Sequence, residues 1–136
     1  DGSLHLGLDI ASGMYSDVKA GANGIVLDAH APVDSNNGYL GNMCGWPNGG
    51  GNTICMVVAV NEKLYAITYA HLSNEIYVTS GQQVSQGTVI AKSGNSGNST
   101  GPHTHVEVFE LKQDLNDIVD YFTNSGADFT FGFCFD

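Results

Sequence analysis

The chain has 136 residues, with fourteen acidic side chains against four lysines and no arginine, and a pI near 4.5. A chain of this length makes one domain with a real hydrophobic core. The charge argues against DNA or RNA, whose phosphates need Lys and Arg to displace counterions, and against docking on anionic lipid.

No apolar run approaches the roughly 20 residues of a membrane helix, so direct membrane insertion is not expected of this segment, and no signal peptide is visible. The chain opens at Asp1, close to its first histidine. It reads as a mature product or an excised domain, with room for a larger parent chain. "HLGLD" then sets His5 and Asp9 around Gly7. "GIVLDA" (24–29) reads as a strand, and residues 31–53 as a long polar insertion, a length that is usually functional or disordered. Cys44 and Cys55 flank the Gly-, Asn- and Pro-rich "GWPNGGGNTI" and are disulfide candidates if the chain is exported. The competing reading is two buried or unpaired thiols, and Cys134 is left over. No C-x-x-C spacing suggests a structural zinc knuckle. "TICMVVAV" (53–60) and "LYAITYAHL" (64–72) read as strands joined by a hairpin turn at "VNEKL". "IYVT" (76–79), "TVIAKSG" (88–94) and "HTHVEVFEL" (103–111) complete the set. "SGNSGNSTG" (93–101) lacks the lysine and spacing of a phosphate loop and reads as a turn leading into the last of these strands. Leu115, Ile118, Val119 and Phe122 recur at helical spacing within 113–126, and Gly126 suits a C-terminal stop. Phe129, Phe131, Phe133 and Phe135 alternate, as in a strand with one buried side. The expectation is a mostly β, antiparallel domain with a short C-terminal helix and an extra C-terminal strand.

The chemistry concentrates in the histidines. In a strand, His103 and His105 share a face, with Glu107 next along it. Two imidazoles in register weaken the bland reading of an exposed polar side chain. His5, Asp9 and His105 make a two-His, one-carboxylate set that leaves a fourth tetrahedral position open, the pattern of a catalytic zinc. A straight strand would separate positions i and i+4 by about 13 Å. The segment from His5 to Asp9 must therefore bend or coil, and Gly7 makes a bend cheap. Taken alone, H-x3-D is a weak signal. His71, at a strand end, and His103 are then available as base and oxyanion donor, since the helical H-E-x-x-H arrangement is absent. For His71 alone, the default would be a hydrogen-bonded histidine at a strand end. Glu107 could orient a metal ligand from behind. His30 has no such context and is treated as a surface residue.

"HLGLDI", "YAHLS" and "STGPHTHVE", in this order, resemble the signature of the LytM/lysostaphin-type zinc metallopeptidases, endopeptidases that cut peptide cross-links of bacterial peptidoglycan. "SDVKAGANGIV" and "GQQVSQGTVIAKSGNSG" also resemble that family's strand-and-turn pattern, and the similarity covers roughly residues 5–110. The resemblance implies zinc on His5, Asp9 and His105, and catalytic roles for His71 and His103. This is the division already reached from the need for an open metal position and a base. Thr104 stands where the family usually has Leu. The strand before the first ligand is missing or reduced to "DGSL", and the 31–53 insertion is unusual.

The resulting expectation is one peptidase domain over 1–136, with a family-like core (1–111) and an extension (112–136). Its partners would be peptidoglycan stem or cross-bridge peptides and, in a larger parent, other domains. Its location would be extracytoplasmic: secreted, in the cell envelope, or on a phage particle. The acidic charge suits targeting by another domain, an anchor or a phage particle, since walls are often polyanionic. Two other readings compete. One is a catalytically silent domain that binds wall or a partner protein, which loss of a ligand would favour. The other is a hydrolase of a different peptide or amide with the same zinc chemistry.

Overall fold

Alternating apolar side chains organise the chain into antiparallel strands. The computed structural model describes residues 13–44, 49–60 and 63–111, together with the backbone of 5–11. Among these are eight strands: β1 His5–Ala11, β2 Asp17–Lys19, β3 Gly24–His30, β4 Asn52–Val60, β5 Lys63–Ile76, β6 Gln83–Val84, β7 Val89–Ser93 and β8 His103–Leu111. They form one sheet in the order β1-β8-β5-β4-β3-β6, with β7 pairing both β2 and β5. The helix expected over 113–126 and the strand through Phe129–Phe135 lie outside the described residues.

β4 shows why the sheet has a core. Ile54, Met56 and Val58 point into the main cluster with Val26, Ile67, Tyr69, Leu72 and Ile90. Cys55 and Val57 point the other way and pack with Leu27. A strand covered on both faces reads as a continuous apolar run, as "TICMVVAV" does. Fully buried side chains such as Ile54, Met56, Leu72 and Ile90 each stabilise the fold by about 1.5–3 kcal/mol. Val60 pairs with Lys63, so β4 and β5 form the expected hairpin.

β5 is longer than expected and changes partner along its length. Leu64 to Ala70 pair with β8, whereas Leu72 and Ile76 pair with β7, with a register shift between the two. Ile76 therefore ends β5, and "IYVT" is not a strand of its own. β2 and β6, of three and two residues, are too short for alternation to reveal them in the sequence.

Candidate active site

His71 sits where β5 exchanges β8 for β7. Its φ is 61°, in the left-handed region that non-glycine residues seldom adopt. Such a conformation costs about 1–3 kcal/mol and persists only where the surroundings enforce it. The connection between β7 and β8 begins here, and Gly94 bridges to His103 across it. A Cβ on Gly94 would lie 2.5 Å from the Ser73 backbone nitrogen, so only glycine lets the two segments meet this closely. The connection thus carries Ser96 under His71 and delivers His103 beside it.

Three of the five histidines converge. The His71 and His103 rings are 4.8 Å apart between centroids, and those of His71 and His105 are 6.1 Å apart. On β8, Val106 and Val108 pack toward the main core and Thr104 is buried, so His103, His105 and Glu107 occupy the opposite face. Thr104 therefore stands away from the histidines.

Hydrogen bonds set each tautomer. His71 Nδ1 lies 2.7 Å from the Ser96 carbonyl, and His103 Nδ1 lies 2.9 Å from the Gly101 carbonyl. A carbonyl only accepts, so both Nδ1 atoms carry hydrogen, and Nε2 is the basic nitrogen of each neutral ring. The Ser99 hydroxyl donates to the same Gly101 carbonyl and stands 3.1 Å from His103 Nδ1, bracing that ring. His105 is turned the other way. Its Nε2 lies 2.8 Å from Glu107 Oε1, which makes Nε2 the donor and Nδ1 the lone-pair nitrogen of the neutral ring. Glu107 is thus in direct contact with His105.

β1 runs antiparallel to β8 with Asp9 opposite His105 and His5 opposite Phe109. The ladder has no register shift from His5 to Ala11, so the bend expected at Gly7 does not appear as a break in pairing. The side chains of His5 and Asp9 lie outside the described set. Among the described residues no group of three His, Cys, Asp or Glu side chains could hold a metal by itself.

Two expectations are corrected. Cys55 is a free, buried thiol in the middle of β4, so the Cys44–Cys55 bridge does not form. Cys55 is committed to packing against Leu27 and Val57 on the strand's second face. Burial pushes its pKa up to about 11, against the pull of a hydrogen bond with Thr68. Cys44 is disulfide-bonded, but not to Cys55. His30 is not a surface residue either. Its side chain is 18% exposed, and its Nδ1 lies 2.6 Å from Asp28 Oδ2. The i, i+2 spacing on β3 brings the two together.

Sequence reasoning missed Asn52 and Ser96, both fully buried beside His71. The only available signal was an Asn opening an apolar strand after three glycines.

The antiparallel sheet is similar to the folds of solved peptidases. The catalytic domain of lysostaphin from Staphylococcus simulans matches with a TM-score of 0.57 at 26% identity, over 84% of this chain and 77% of that one. A zinc-containing peptidase from Vibrio cholerae matches with a TM-score of 0.56 at 28% identity, over 80% of this chain and 30% of that one. The chain belongs to peptidase family M23, whose family model matches residues 3–117. It is 33% identical over 112 residues to the peptidoglycan DD-endopeptidase ShyA of Vibrio cholerae, a match over 82% of this chain but only 22% of that protein.

Proposed function

We propose that this chain is a zinc-dependent endopeptidase that hydrolyses peptide cross-links of bacterial peptidoglycan, acting outside the cytoplasm where that polymer lies. The observation that carries the reading is the convergence of His71, His103 and His105 with their tautomers set by fixed acceptors. Family membership and the peptidoglycan endopeptidase among its relatives support the substrate class.

The donor chemistry suits zinc. His105 offers an imidazole nitrogen oriented by Glu107, and Asp9, its cross-strand partner, adds a carboxylate. His5 completes the set on the strength of the H-x3-D motif. When bound, zinc supplies Lewis acidity, lowering the pKa of an attacking water and polarising the scissile carbonyl. The two remaining histidines handle protons. One Nε2 accepts a proton from the attacking water and later returns it to the departing amine. The other, protonated, donates to the oxygen on which negative charge develops. Each ring keeps its orientation throughout, because its Nδ1–H stays on a backbone carbonyl.

The test is mass spectrometry of fragments released by zinc-loaded protein from purified peptidoglycans of different cross-link types. Release of new amine and carboxyl ends at one bond type is expected. Absence of release from every type, or full activity in His71→Ala, overturns the proposal.

A further inference from the structure

The left-handed His71 is held by a buried polar cluster that reaches its backbone N–H and its ring Nδ1. Asn52, the first residue of β4, is 0% exposed, as is Ser96. The Asn52 amide is fully engaged. Its Oδ1 accepts from Val33 N–H at 3.1 Å, and its Nδ2 donates to the Val33 and Leu72 carbonyls at 2.9 and 3.2 Å. The Asn52 backbone N–H donates to Ser96 Oγ at 3.0 Å, and that hydroxyl donates to the Leu72 carbonyl at 2.7 Å. The Ser96 carbonyl in turn receives His71 Nδ1–H, and His71 N–H donates to Gly50 O at 2.7 Å. Three separate segments, the 31–51 insertion, the start of β4 and the β7–β8 connection, are therefore tied to the peptide groups of His71 and Leu72.

We infer that Asn52 and Ser96 are positioning residues for His71, clamping its backbone and aiming its Nε2 through contacts with Leu72 and Ser96 rather than with substrate. The inference rests on the reading of His71 as a proton-transfer group. The residue types fit the task. Only an amide offers an acceptor and two donors in one plane, so Asp at 52 would turn a carboxylate oxygen toward two carbonyls. Ser96 contributes a hydroxyl that donates once and accepts once, while its own carbonyl meets the imidazole. A buried network of this kind is rigid only when every member is satisfied. A catalytic nitrogen displaced by about 1 Å loses on the order of 10²-fold in rate.

Asn52→Asp and Ser96→Ala, made in the full chain, test the clamp beside wild type and His71→Ala. Zinc content, thermal melting, kcat and KM for fragment release, and the imidazole ¹H–¹⁵N spectrum of His71 are measured together. The expected result is unchanged zinc, a folded protein, kcat lower by on the order of 10²-fold with KM little altered, and loss or broadening of the His71 Nδ1–H resonance. Should Asn52→Asp fail to fold, Ser96→Ala carries the test, since it deletes one oxygen and keeps the carbonyl that meets His71. A folded Ser96→Ala protein with wild-type kcat and an unchanged Nδ1–H resonance overturns the inference. If wild type itself releases no fragments, the functional reading has failed, and the resonance alone still decides whether the clamp orients the ring.

Discussion

Each histidine of the site has one nitrogen assigned by an acceptor that cannot donate, and this separates the roles that mutation should reveal. His71→Ala and His103→Ala should keep zinc and fold but lose about 10²–10⁴-fold in turnover, the usual worth of a general acid–base group. His105→Ala should lose zinc as well as turnover. Glu107→Gln keeps an oxygen for His105 Nε2–H but removes the charge, and should cost about 10–100-fold in metal affinity or rate. Zinc analysis and lysis rates on the four variants, side by side, check this; full turnover in Glu107→Gln would remove Glu107 from the site. Cys55 supplies a pH dependence. Its thiol titrates near 9.0 when exposed and at about 11 in the fold, so the unfolded chain loses its proton first as pH rises. The burial of the neutral thiol contributes fully below pH 9 and is lost between about 9 and 11, by on the order of 2–3 kcal/mol. Denaturant unfolding of wild type and Cys55→Ala at pH 8 and pH 10.5 should show a smaller drop in the variant. Equal drops would mean that the thiol is not the group responsible.

At the scale of elements, the insertion and the β7–β8 connection behave as one unit. Gly38, Tyr39 and Asn98 exchange backbone hydrogen bonds with Asn95, Gly97 and Gly49, and Gly97 N–H reaches Asn37 Oδ1 at 3.0 Å. Gly97 has a φ of 75°, and a Cβ there would run into the Gly49 carbonyl. Gly97→Ala should therefore part the two loops, lower stability by about 1–3 kcal/mol and reduce turnover, because the same connection carries Ser96 and His103. Thermal melting and fragment release on one preparation test it, and a variant with wild-type values for both would show that the loops are independent. The insertion was legible as long and polar, but its role was not. Its partners lie some sixty residues away, as Gly97 is from Asn37, and no local periodicity records such a contact.

At the scale of the molecule, the formal charge is −10, and the proposed substrate is a polymer that is often polyanionic. Repulsion between like charges is screened over about 10 Å at 0.1 M salt. The isolated chain should therefore lyse anionic walls faster as ionic strength rises from low values, through a higher association rate. Lysis rates between about 10 mM and 0.1 M salt, where the screening length falls from about 30 to 10 Å, measure the effect. A decrease over that range would point instead to a local cationic contact that overrides the net charge. Chelation should abolish lysis, and added zinc should restore it.

The sequence by itself determined the β class, most strand positions, the histidines of interest and the family resemblance. Each of these is written in short-range spacing: period two in strands, H-x-H on one strand face, H-x3-D about a glycine. Tertiary structure decided the rest. Which nitrogen of each ring carries hydrogen depends on the carbonyls of Ser96 and Gly101 and on the Glu107 carboxylate. Cys55 stayed a thiol because both faces of β4 are covered, and His30 turned inward to Asp28. The exchange of β8 for β7 along β5, which creates the strained corner at His71, follows from strand pairing. Pairing is settled by which long-range contacts bury the most apolar surface while leaving nearly every buried polar group a partner, a property of the assembled sheet that no single segment carries.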